Sequence, residues 1–163
     1  MSAQHTFVEH PSDQEIIISR VFDAPRALVF KAWTDPRHVT AWWGPHGFEN
    51  TACDVDLRVG GTFRLQMRAP DGNVYPCTGT YHEIVEPERI AYLGQADDGH
   101  PCGAGLPPQS RVTIDFTEPS AGKTLLTITT RLQSAAAKQS AAEGGFIAGW
   151  SDSLERLDQH LQS

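Results

Sequence analysis

The last stretch of the chain, residues 144–161, constrains the fold more than any other. Phe146, Ile147, Trp150, Leu154, Leu157 and Leu161 recur at three- and four-residue steps, which a helix gathers into one apolar stripe. Glu143, Asp152, Glu155, Arg156 and Asp158 occupy much of the remaining face. A stripe carrying one indole and several leucines needs a broad apolar partner, and upstream only a set of strands can supply it. The spacing therefore predicts a long helix laid across a sheet, with any site between the two.

The upstream texture agrees. Residues 15–22 carry the β-branched run Ile16, Ile17, Ile18 and Val21, a strand signal. Asp23 and Pro25 then predict a short helix to about Thr34, and Asp35 with Pro36 predicts a second one, stopped by Gly44 and Pro45. From about Asn50 apolar residues alternate. The sets are Val55, Leu57 and Val59 before Gly60 and Gly61, then Phe63, Leu65 and Met67 before Pro70, Asp71 and Gly72, with further strands over 74–85 and from Ile90. Gly60 and Gly61 read as a tight hairpin, where positive φ suits glycine. Residues 94–110 lack periodicity and read as a long loop that could serve as a lid. Two more strands come next, around Val112, Ile114, Phe116 and around Leu126, Ile128, Thr130, and Ser134 opens the final helical region.

One strand, two short helices, about six antiparallel strands and a long helix make an α+β domain, expected over residues 14–163 behind residues 1–13, which read as a loose tail or an edge extension. A curved sheet crossed by one helix leaves a gap that becomes a pocket if side chains do not fill it. The formal net charge of -7, with no local concentration of Lys or Arg, argues against nucleic acid. No signal peptide and no apolar run long enough to span a membrane is found. Cys53, Cys77 and Cys102 are odd in number and lack C-x-x-C spacing, so reduced thiols and a cytoplasmic location are expected.

Several stretches, taken together, are similar to a known family. They are Arg20-Val21-Phe22-Asp23-Ala24-Pro25, Trp33-Thr34-Asp35-Pro36, Trp42-Trp43-Gly44-Pro45, Asp56-Leu57-Arg58-Val59-Gly60-Gly61, Gly79-Thr80-Tyr81 with Pro87-Glu88-Arg89, and Gly149-Trp150. Over residues 15–162 the chain resembles the family named for the activator of the heat-shock-protein-90 ATPase, within the SRPBCC or START-like superfamily. The resemblance implies the helix-grip fold, a sheet of about six or seven strands wrapped around the C-terminal helix with an internal cavity. Members of that superfamily include binders of lipids, hormones and polyketides, some cyclases, and the co-chaperone domain itself. The co-chaperone carries an additional N-terminal domain for which this chain has no room, so the chaperone role is the lesser expectation. Fold alone does not choose among these functions.

The expected reading is binding of a small apolar or aromatic ligand without catalysis. Its expected lining is Trp42, Phe48, Leu65, Met67, Tyr81, Tyr92, Phe146 and Trp150, each of which also reads as ordinary core. Trp42 and Trp43 are adjacent, so on a helix they diverge by about 100° and at most one points fully inward, leaving the other near the cavity mouth. A cyclase- or hydrolase-type enzyme is the alternative, with Tyr81, His82, Glu83 and Asp54 as its polar groups and Arg58 as an anchor, although Arg58 pairs more naturally with Asp56. A chaperone-directed interaction module is the third reading. The seven histidines show no metal-binding spacing, and there is no phosphate loop or nucleophile elbow, so no metal and no cofactor is expected. Gly149, inside the last helix, points to close approach against the sheet. A homodimer is left open.

Overall fold

The computed structural model describes residues 6–95, 110–143 and 146–162. Among them lie eight strands: β1 (Phe7–Glu9), β2 (Glu15–Phe22), β3 (Glu49–Val55), β4 (Thr62–Arg68), β5 (Val74–Val85), β6 (Arg89–Gln95), β7 (Arg111–Ser120) and β8 (Lys123–Arg131). Four helices accompany them: α1 (Arg26–Thr34), α2 (Pro36–Trp42), α3 (Ala135–Glu143) and α4 (Phe146–Gln162). The strands form one antiparallel, curved sheet in the order β1-β2-β8-β7-β6-β5-β4-β3. That is one or two strands more than expected, because residues 7–9 pair with β2 as an edge strand, Phe7 opposite Ser19. The loop read over 94–110 falls mostly outside the described residues, and its reading as a lid lies there too.

Alternation decides which face of the sheet is covered. Ile16, Ile18 and Phe22 of β2, Phe63, Leu65 and Met67 of β4, and Leu126 and Ile128 of β8 all point inward and are buried. The alternation at Val55, Leu57 and Val59 behaves differently. β3 ends at Val55, and Leu57 and Val59 are exposed, 39% and 63% accessible. Turn bonds intervene, with Arg58 N–H donating to the Asp56 carbonyl and Gly61 N–H to the Arg58 carbonyl, and Gly60 takes φ 85°. A local hydrogen-bonded turn satisfies these backbone groups without a strand ladder.

The helices obey their caps closely but not everywhere. The Asp35 carboxylate accepts the Arg37 N–H at 2.9 Å and holds the start of α2, with Pro36 in its first turn. Asp23 does not cap α1. Pro25 stands at that position without a side-chain cap, and Asp23 pairs with Lys123 at 3.1 Å instead. Ser134 Oγ accepts from Ala137 N–H at 3.0 Å and opens α3.

Helix α4 buries Phe146, Gly149, Trp150, Leu154 and Leu157 as its stripe predicts, with Ile147 and Leu161 partly buried. Its polar face is not simply solvated. Asp158 reaches the buried Arg20 of β2 at 3.4 Å. Arg156 Nη1 donates to the carbonyls of Trp43, Gly44 and Pro45 at 3.1, 2.9 and 3.0 Å. Ser153 Oγ accepts the Gly44 N–H at 3.0 Å. The segment that leaves α2 is thus fastened along α4.

The cysteine expectation is corrected. Cys53 is a free, half-buried thiol, whereas Cys77 is disulfide-bonded. Sequence spacing cannot exclude such a pairing, because a disulfide needs proximity in space alone.

Candidate functional site

Rings from α1, the end of α2, β4, β5, β6 and α4 meet between the sheet and the helices. Trp33, near the end of α1, lies 4.8 Å from Trp42, 5.9 Å from Trp43 and 5.6 Å from Trp150, with the Trp150 ring nearly parallel to it at 24°. Trp43 continues the array to Phe63 of β4 at 6.3 Å. Phe63 meets Tyr81 of β5 at 5.4 Å and Tyr92 of β6 edge-on at 4.8 Å. Such offset and edge-on pairs contribute about 0.5–1.5 kcal/mol each beyond area burial. Gly79 makes the Phe63 position feasible, since a Cβ there would stand 2.4 Å from Phe63 Cε2.

A cavity of about 20 Å³ lies within this array. Trp33, Trp43, Phe63, Tyr81 and Tyr92 supply its aromatic wall, and Val39, Val55, Leu65 and Ile90 its aliphatic part. Val55 is half-buried while the other eight are buried, so the cavity approaches solvent beside β3 and α2. The free space holds about one water molecule. Among the described residues no charged side chain lines it.

Polar atoms in the wall are poorly partnered. Among the described residues, the indole Nε1 of Trp33 and of Trp43 and the hydroxyl of Tyr92 are buried without a hydrogen-bond partner, as is Nε1 of Trp150 behind them. Most buried polar atoms in folded proteins are paired, so this grouping calls for an explanation. Burial pushes both phenols upward, Tyr92 further through Tyr81 and Tyr81 further through Cys53. Both are therefore neutral hydrogen-bonding groups at ordinary pH rather than nucleophiles. Burial, then Asp54 and Asp35, push the Cys53 thiol up to about 11, which keeps it protonated and unreactive.

Of the residues expected in the lining, Leu65, Tyr81 and Tyr92 meet at the cavity. Trp42 is fully buried one layer behind, its Nε1 donating to the Ala32 carbonyl at 2.9 Å. Phe48 is partly buried and packs on Tyr75, ring centres 6.2 Å apart. Met67 and Phe146 are buried in the core, and Trp150 backs the cavity through Trp33. The expectation that only one of Trp42 and Trp43 turns inward fails, since both are buried. Trp43 sits past the helix with φ -63° and ψ 133°, so the helical divergence does not apply to it. The sequence reading left out Trp33, Trp43, Phe63, Val39, Val55 and Ile90. Phe63 and Leu65 alternate on one strand, a signal that could have added Phe63.

The polar candidates sit elsewhere. His82, Glu83 and Asp54 are exposed, and a bulge between Tyr81 and Glu83 in the pairing of β5 with β6 interrupts strict alternation there. Arg58 pairs with Asp56 at 2.8 Å, as expected. His46, Asp152 and Glu155 bring three ligand-type atoms within 4.8 Å of one another at the surface. The Asp152 and Glu155 carboxylates stand 3.8 and 3.6 Å from His46 Nε2. Among the described residues no helix is long and apolar enough to cross a membrane.

Comparison with known proteins bears on the whole arrangement. The profile of the family described as Activator of Hsp90 ATPase homolog 1-like protein matches residues 23–162. Among solved structures, protein Ms6760 of Mycobacterium smegmatis is 32% identical, covers 96% of this chain and of its own, and superposes with a TM-score of 0.81. A protein from Arthrobacter aurescens is 26% identical over 96% of this chain and 91% of its own, with a TM-score of 0.83. The AHSA1 protein of Silicibacter pomeroyi is 25% identical over 91% and 97%, with a TM-score of 0.70. No curated protein matches the chain.

Proposed function

Since the chain belongs to the Activator of Hsp90 ATPase homolog 1-like family, within the SRPBCC superfamily, we propose that it binds a small apolar or aromatic molecule between the sheet and the helices, without catalysis. The family and the helix-grip fold support a domain of the ligand-binding type. The finer reading is carried by one observation, the ring-walled cavity that reaches the half-buried Val55. Five aromatic rings offer stacking and edge contacts to a flat ligand, a larger attraction than their apolar area alone provides.

The free space is too small for a ring, so binding includes displacement of a wall residue. Trp43 is the natural one to move. Its backbone stays fixed, the N–H on the Val39 carbonyl at 3.0 Å and the carbonyl on Arg156 at 3.1 Å, so the movement is a turn of the indole about its side-chain bonds, on the side where the cavity reaches Val55 of β3. Binding then swings Trp43 and enlarges the cavity.

Native mass spectrometry and thermal-shift measurements against a panel of one- and two-ring aromatics test this. The expected result is a saturable rise in melting temperature with a change in tryptophan emission. A panel without any ligand-dependent shift would overturn it.

A further inference from the structure

Given a cavity that takes a small aromatic molecule, the proposal on which this inference rests, the geometry points to a narrower ligand class. That class is a neutral aromatic compound bearing a carbonyl oxygen, which the indole N–H groups of Trp33 and Trp43 and the hydroxyl of Tyr92 receive. All three side chains line the cavity, are at most 4% accessible, and carry a buried polar atom with no partner among the described residues. An indole N–H can only donate, so two of the three groups demand an acceptor. Purely aliphatic or purely hydrocarbon ligands leave that demand unmet.

Charge sets the next limit. Among the described residues no Lys, Arg or His lines the cavity to balance a carboxylate or phosphate, and an uncompensated buried anion is strongly disfavoured. Size sets the last one. Before any ring moves, the space of about 20 Å³ among these rings takes one oxygen-sized group, which fits a single carbonyl. Phe63 and Tyr81 complete a ring-lined surround for the remainder of the ligand once the Trp43 ring has turned about its side-chain bonds with its indole N–H kept on the ligand carbonyl.

Acetophenone and ethylbenzene have nearly the same shape and differ in that oxygen, so their affinities for the full chain, measured by NMR titration, test the inference. Acetophenone is expected to bind at least ~10-fold more tightly, the usual scale for hydrogen bonds to otherwise unpaired buried donors. The indole N–H resonances of Trp33 and Trp43 are expected to shift downfield with acetophenone alone. Trp43→Phe and Tyr92→Phe each keep a ring and remove one hydrogen-bonding group, so each should shrink the preference for acetophenone over ethylbenzene several-fold.

Equal affinity for the two compounds overturns the carbonyl inference, as when a buried water already serves the donors, yet leaves aromatic binding standing. Failure of both to bind overturns both readings. Benzoate binding more tightly than acetophenone overturns the requirement for a neutral ligand. A preference that survives both substitutions, without downfield indole shifts, overturns the assignment of the donors. Should either variant fail to fold, the indole shifts in the unaltered protein decide the outcome.

Discussion

Trp42 and Trp43 are neighbours in sequence with different surroundings. The Trp42 indole N–H is paired with the Ala32 carbonyl at 2.9 Å, so Trp42→Phe leaves that carbonyl without its donor and opens space in the core. Urea denaturation is expected to show a loss of about 1–3 kcal/mol. Trp43→Phe removes an N–H that has no partner among the described residues and should cost clearly less in the same measurement. If the two losses are equal, the distinction drawn between them is wrong. Gly79 makes the complementary case. Its missing side chain is occupied by the Phe63 ring, and a Cβ at 2.4 Å would push that ring toward Tyr92 and the cavity. Gly79→Ala is therefore expected to destabilise by about 1–3 kcal/mol through overpacking, and to weaken binding of any aromatic ligand in a titration. Unchanged ligand affinity in a folded Gly79→Ala protein would separate Phe63 from the binding wall.

Elements are joined here by polar contacts that an apolar stripe does not reveal. Helix α4 packs its stripe inward, and with Arg156 it also holds three successive carbonyls of the segment leaving α2. Burial lowers the Arg156 pKa, but the guanidinium remains charged. Arg156→Ala frees those carbonyls and the Trp43 segment with them. The expected cost is about 2–3 kcal/mol of stability, typical of hydrogen bonds to a charged group, with a change in the tryptophan near-ultraviolet circular dichroism. Arg156→Lys should rescue only part, because one ammonium lacks the same fixed, planar donor geometry.

The second link between α2 and α4 is sensitive to pH. His38 Nδ1 and His160 Nε2 lie 2.9 Å apart, so one ring must supply the proton and the other the lone pair. Burial, then the charge of His38, hold the His160 pKa below its ordinary 6.5. The unfolded chain therefore binds protons at this site at a pH where the folded chain does not. Stability is complete above about 6.5 and falls as the pH drops below that value. Urea midpoints at pH 7.5 and 5.5 are expected to differ, and His160→Gln should reduce the difference. An undiminished difference in that variant would assign the pH dependence to other groups.

At the scale of the whole molecule, an eight-stranded sheet, α1 with α2, and α4 enclose a ring-lined centre that is nearly full without ligand. Binding to the folded state alone raises stability, by about 2.7 kcal/mol when the ligand is present at a hundredfold excess over its dissociation constant. The melting temperature of the protein should therefore climb with ligand concentration, and that climb should be lost in Gly79→Ala.

Much of this molecule was legible along the chain, because the signals for it are local. The two-residue and three-to-four-residue apolar periods in β2, β4, β8 and α4, the Asp35 cap with Pro36, and the turn at Gly60 each depend on residues a few positions apart. They determined an α+β domain with a sheet wrapped on a terminal helix. The site was legible only in outline, with Leu65, Tyr81 and Tyr92 expected and present at the cavity. That Trp43 turns inward past the end of its helix, that Trp42 is spent on the Ala32 carbonyl, and that Arg156 faces a loop instead of solvent were all decided by tertiary contact. So were the pairing of residues 7–9 with β2, the disulfide at Cys77, and the loss of strand structure after Val55. Each of these depends on distances between elements far apart in the chain, and a one-dimensional pattern carries no such distances.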